Sequence, residues 1–323
     1  MTCTEDASLG KIGRMKPHIT CYTERNVRND MPQGSDKSSS SVFGYAELFV
    51  DISPDPSQDA FVDPPQEANR AARKSHDFFP DPSYLKEERI LPSETFGQHI
   101  SYVVETFARQ PRVFLFTIRM SGSRARLFHW DRSGCVVSGS FDIREQPEIL
   151  CEVLWRFSHT TNAGRGHDMS VSVSLPGGEE FFREKITNHV REQLGPGEDL
   201  DKAVTQHYQP GRVFAATVLY QGFTAKVENT RHFLFSRPVV TPLSLTGRGT
   251  RGYWAIDTST GDVVFLKDTW RHDSVTEVEG LTLRRLCDQG VRYVPSMIWH
   301  GDIPNRLPGM SCKLVGESPV AFR

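Results

Sequence analysis

The stretch Leu243-Ser-Leu-Thr-Gly247-Arg-Gly249-Thr-Arg-Gly252-Tyr-Trp-Ala-Ile-Asp257, followed by Thr-Ser-Thr-Gly261-Asp and Val263-Val-Phe-Leu-Lys267, decides how this chain is read. A Gly-x-Gly-x-x-Gly array is a weak signal alone, because the chain holds 25 glycines. Its neighbours sharpen it. In the dinucleotide-binding form such an array leads into a helix. Here the residues from Tyr253 to Ile256 and from Val263 to Leu266 are β-formers around a tight Thr-Gly-Asp turn. The predicted order is strand, glycine loop, strand, hairpin, strand. Glycines let a backbone close over a triphosphate, and Lys267 would carry a positive charge to its oxygens. The same residues also fit an ordinary hairpin whose glycines only make turns and whose lysine is solvated.

Outward from this segment, 323 residues predict about two domains at about 150 residues each. Apolar residues make up 37% and charged residues 24%, enough to fill cores. A formal net charge of −2 supplies no basic field for nucleic acid or an anionic membrane, so neither partner is expected. No run of apolar residues reaches membrane-spanning length. The start, Met1-Thr-Cys-Thr-Glu-Asp, lacks the basic and apolar regions of a secretory signal. Six dispersed cysteines without a Cys-x-x-Cys pair speak against a disulfide framework or a zinc site. These features predict an intracellular protein, cytoplasmic or nuclear.

Residues 1–15 read as a flexible N-terminus, followed by an α+β domain over 16–158. That domain opens with a short strand at Ile19 to Tyr22 and a buried strand within Val42 to Ile52. A proline-rich insertion over 53–92 cannot hold a strand. Phe96, Ile100, Val103, Val104 and Phe107 recur at helical spacing, giving an amphipathic helix from Glu94 to Gln110. Strands follow at Val113 to Met120, Arg126 to Trp130 and Cys135 to Phe141. Pro147 then opens a helix with Ile149, Leu150, Val153, Leu154 and Phe157 on one side. A connecting α/β region covers 159–238, with a helix at Glu179 to Leu194 and strands at Val213 to Tyr220, Thr224 to Val227 and His232 to Phe235. A β-rich unit covers 239–323, its one long helix lying at Ser274 to Cys287. The fold class is α+β.

The glycine array with Val-Phe-Leu-Lys267-Asp-Thr-Trp270-Arg271 resembles the fungal-type protein kinase family. So do Val291-Arg-Tyr-Val-Pro295 and the upstream Phe128-His-Trp-Asp131-Arg132-Ser-Gly134, with Glu47-Leu-Phe-Val-Asp and Phe61-Val-Asp-Pro64. The resemblance runs from about Lys16 to Ile303. It implies ATP as cofactor, phosphoryl transfer to serine or threonine of a protein substrate, and an incomplete kinase N-lobe over 239–323. Gly247, Gly249 and Gly252 become the phosphate loop and Lys267 the phosphate-binding lysine. A helix glutamate should pair with that lysine, but alignment puts Leu281 at its position. Glu277 lies four residues earlier on the same helical face and is taken as the partner, with Glu279 the alternative, about 160° away around the helix. Trp254 stands where the family favours a valine above the adenine, where its ring could block the base or stack on it.

Neither a His-Arg-Asp-type catalytic loop nor an Asp-Phe-Gly motif follows Lys267. His300-Gly-Asp302 imitates the first and reads as a turn after a strand. The chain is therefore expected to look truncated before the catalytic half, to hold no magnesium site and to retain at most nucleotide binding. The alternative is a non-catalytic interaction module with a vestigial glycine loop. The N-terminal domain resembles a degenerate PD-(D/E)xK nuclease fold, in which His18 replaces the first aspartate and Ser53 the lysine, leaving Asp51 and Glu47.

Overall fold

The computed structural model describes residues 17–30, 43–79, 90–175, 177–220, 230–270, 279–302 and 312–316. Its elements are β1 (Ile19–Tyr22), β2 (Ala46–Ser53), α1 (Arg70–Lys74), α2 (Ile90–Arg109), β3 (Leu115–Ser121), β4 (Arg124–Asp131), β5 (Gly134–Val137), β6 (Phe141–Asp142) and α3 (Pro147–His159). After these come β7 (Val171–Val173), α4 (Gly178–Gln193), α5 (Leu200–Val204), β8 (Phe214–Tyr220) and β9 (Thr230–Phe235). The chain continues with β10 (Arg251–Asp257), β11 (Val263–Trp270), α6 (Glu279–Asp288), β12 (Gly301–Asp302) and β13 (Cys312–Gly316). No described helix is long and apolar enough to cross a membrane.

Two sheets organise these elements, as an α+β chain should. The first runs β1-β2-β3-β4-β5, with β6 also beside β4. β2 and β3 are parallel, with Phe49 opposite Thr117, because α2 carries the chain back across one face between them. That face holds the larger core, where Tyr102, Val103 and Phe107 of α2 meet Phe49, Leu115, Phe128 and Trp130. The expected helix is there, starting four residues earlier than its periodicity indicates. The predicted strand from Cys135 to Phe141 is two short ones, β5 and β6, parted at residues 138–140.

Past Ser53, which ends β2, the described part of the proline-rich insertion contains no strand, yet it is docked. Phe61 enters the core, and Asp59 and Asp63 both hold Arg126, at 2.8 and 2.7 Å. Two carboxylates on one buried guanidinium tie the insertion to β4.

The second sheet is antiparallel throughout, in the order β12-β8-β9-β10-β11-β13 with β7 also on β8. Ile256 of β10 pairs with Leu234 of β9, so the sheet crosses residue 239 without a break. Phe182, Ile186 and Val190 of α4 pack on Leu234 and Ile256 from one side. Phe214, Phe233, Phe235, Tyr253 and Leu266 form a core on the other. The strand expected at Thr224 to Val227 lies outside the described residues. His300-Gly-Asp302 is not a turn after a strand: Gly301 and Asp302 form β12 and pair with Tyr220 and Leu219. His300 is fully buried against α6, where a Cβ on Gly280 would come within 2.4 Å of its ring.

Candidate nucleotide-phosphate site

The strand, hairpin and strand expected after the glycines are present, but the strand expected before them is not: residues 239–246 make only an isolated bridge at Val240. Gly252 exchanges backbone hydrogen bonds with Val240, donating to its carbonyl at 3.0 Å. The chain returns through β10, turns at Gly261 (φ +76°) and leaves along β11. Register decides what faces what. Gly252 lies opposite Lys267 and Trp254 opposite Phe265, so these four share one face, while Arg251, Tyr253, Leu266 and Asp268 share the other.

On the first face, Lys267 Nζ donates to both carboxylate oxygens of Glu279, at 2.5 Å for Oε1. Glu279 is the first residue of α6, where a carboxylate also suits the positive end of the helix dipole. Glu277 lies outside the described residues, and the lysine's acidic partner here is the alternative, Glu279. Counting helical faces from Leu281 treats the carboxylate as if it projected from mid-helix, whereas Glu279 sits at the end of α6 that approaches β11.

Aromatic rings fill the space beside the lysine. A Cβ on Gly252 would lie 2.5 Å from Phe265 Cζ, so glycine is what lets that ring press against the β10 backbone. Trp254 meets Phe265 edge-on at 5.6 Å, and His189 of α4 lies 4.9 Å from Trp254. Burial lowers the His189 pKa, which keeps the imidazole neutral in this layer. The position where the family favours a valine is therefore occupied by a ring already packed on two others.

Gly247 and Gly249 have positive φ, +92° and +51°, and lie in a loop that folds back on the end of β11. Trp270 N donates to Arg248 O at 2.7 Å, and the hydroxyls of Thr250 and Thr269 meet at 3.1 Å. The space beside Gly249 is taken by Arg132, which comes from the turn after β4 in the first sheet. A Cβ there would fall 2.7 Å from Arg132 Cζ. Arg132 stacks over Phe107 at 4.8 Å and donates to Leu245 O at 3.4 Å. Burial, with the nearby Arg251 cation, lowers its pKa to about 10, so it remains charged at neutral pH. Replacing Gly249 with alanine should cost about 1–2 kcal/mol, from the positive φ and the displaced guanidinium. A urea melt unchanged in Gly249→Ala would show that the loop does not need this contact.

On the second face, Arg251 donates from Nε to Asp268 Oδ2 at 3.0 Å and also pairs to it through Nη2. Its Nη1 donates to Gln110 O at 2.6 Å, at the end of α2. The three glycines thus serve two surfaces: Gly252 lies beside Lys267, and the Gly249 turn is keyed to the N-terminal half. Sequence reasoning missed Arg132, Arg251 and Asp268. Asp131 caps the turn after β4 through the Ser133 and Gly134 amides, while Arg132 reaches across to the loop. Arg231 of β9 pairs with buried Asp257 at 2.8 Å.

The nuclease-like residues do not assemble a metal centre. Asp51 lies 2.9 Å from His18 Nδ1 and 3.7 Å from His99 Nδ1. Glu47 is held separately by Arg112 and His167, at 3.0 and 2.8 Å. Among the described residues no group of three or more His, Cys, Asp or Glu side chains is arranged to hold a metal ion.

A family model for fungal protein kinases matches residues 85–308, which takes in the first sheet from β3 onward, the second sheet except β13, the glycine loop, Lys267 and Glu279. No curated protein and no solved structure matches the chain. The matched segment is well over half of the sequence, and the chain belongs to the fungal protein kinase family.

Proposed function

We propose that the Gly252–Lys267–Glu279 arrangement binds the phosphates of a nucleotide as the phosphate-holding part of a protein kinase that acts on serine or threonine. The Lys267–Glu279 pair carries this reading. A lysine side chain has four rotatable carbons, and a carboxylate on its ammonium fixes where the charge points. With Lys267 only partly exposed and held by Glu279, an incoming phosphate would meet a cation whose position is already set.

The residues present fit the two ends of ATP differently. The phosphate end suits Lys267. The base end is filled by Phe265, Trp254 and His189, so phosphate contacts carry most of the affinity. An ATP group bound there would supply the transferable phosphoryl; this chain's residues would hold and orient it. Tryptophan fluorescence should report Mg-ATP through Trp254, with inorganic tripolyphosphate competing within a few-fold of ATP. Lys267→Ala should weaken binding about ten- to a hundredfold, the range of one charge-assisted contact of about 1.5–3 kcal/mol. Absence of a saturable response, or one unaltered in Lys267→Ala, overturns the reading.

The aromatic layer favours a second reading, a non-catalytic interaction module whose glycine loop has become a structural joint. That reading gains if ATP and tripolyphosphate both leave the fluorescence unchanged in a chain that melts cooperatively.

A further inference from the structure

α3 carries the apolar face its sequence spells out, but the fold buries it only in part. No residue of this helix is fully buried. The sheet face beneath it is equally thin, with only Leu48, Val50 and Ile118 fully buried, whereas α2 on the opposite face closes a far larger core. Between α3 and the sheet lies a cavity of about 440 Å³, open to solvent at one side. Leu48, Ile118, Leu127, Val153 and Phe157 are among its walls. A space of this volume with such walls is in the range of small-molecule sites and is poorly suited to water.

Its polar groups are few, and Arg156 is the one formally charged side chain in the lining. Arg156 lines the cavity and is largely solvent-exposed, which puts its guanidinium at the mouth. Nε and Nη2 of Arg156 already grip the Glu152 carboxylate, at 3.0 and 2.6 Å. A guanidinium has five N–H donors, so this fork can serve a second carboxylate as well. His129 lines the cavity too, its ring 4.8 Å from Phe114 and 5.0 Å from Phe116.

We propose that the cavity between α3 and the first sheet binds a medium-chain carboxylic acid, with its chain on Leu127, Val153 and Phe157 and its carboxylate at Arg156. The site is remote in sequence from Lys267 and does not depend on nucleotide binding. Dansylundecanoic acid added to the full chain should show saturable, blue-shifted fluorescence that decanoate competes away. Val153→Trp, which fills the cavity, should weaken binding at least about tenfold. Leu127→Phe is the second filling variant, read if the first melts without cooperativity. Arg156→Gln should weaken decanoate by about fivefold at most, as expected for an exposed charge contact, and leave decanol competition unchanged. Three results overturn the proposal. One is the absence of saturable binding, and another is equal binding in both filling variants. The third is self-association of the chain that Trp155→Glu abolishes, which would make a second copy the occupant.

Discussion

Asp268→Asn is expected to lower the unfolding free energy by about 3–5 kcal/mol, the range seen when one partner of a buried ion pair is removed. Asp268 and Arg251 are each only 3% exposed. Burial alone would lower the Arg251 pKa, but the Asp268 charge beside it outweighs that and raises it. Arg132 adds a second guanidinium close enough to depress its own pKa through Arg251. Removing the Asp268 carboxylate takes the directly bonded anion from two buried cations and leaves only the weaker influence of Asp168 on Arg251. Urea denaturation reads the loss, and Arg251→Met combined with Asp268→Leu should recover most of it, because apolar packing replaces the pair. A loss under about 1 kcal/mol in Asp268→Asn would show that the joint is solvated in practice.

The second large effect lies in acid. Glu47 is buried, which raises its pKa, but the hydrogen bond from His167 and the Arg112 charge outweigh this and bring it down to about 2. A carboxylate depressed in the folded state stabilises the fold above its unfolded pKa. That stability is lost as pH falls through the folded value. The window is therefore from about 4.5 down to about 2, and the shift corresponds to about 3 kcal/mol. Arg112 makes the loss structural, since it also donates to the carbonyls of Ala46 and Arg165 at 3.0 and 2.7 Å. Glu47→Gln should cost about 3–5 kcal/mol at pH 7, by leaving the Arg112 cation buried and unpaired. It should also flatten the acid limb, so that the two proteins converge near pH 2. Parallel stability curves for wild type and variant over that range would refute the assignment.

What the sequence disclosed follows the reach of its physics. The Gly261 turn and the β10–β11 hairpin were legible because turn chemistry and period-2 alternation act over a few residues. α2 was legible from its apolar stripe, and α3 likewise. That α3 would leave its stripe partly uncovered was not legible, since a helical period says which face is apolar and nothing about what meets it. Strand pairing was equally hidden: β8 and β9 carry no mark that they continue the β10–β11 sheet. The polar contacts that join the two halves span 141 positions in Arg251–Gln110 and 113 in Arg132–Leu245, far beyond any local pattern. The lysine's partner was open between two glutamates because they stand two residues apart near the start of the predicted helix, where the helical period alone does not fix which one meets the strand.

The pairing of Ile256 with Leu234 sets where this protein can be cut. A recombinant fragment beginning after residue 238 would keep Lys267 and Glu279 but shed β8, β9 and α4. It would bare the β10 edge and strip the cover from Trp254 and Ile256. Such a piece is an aggregation template rather than a miniature lobe. Ligand studies on the kinase-like part therefore require the upstream strands in the same polypeptide.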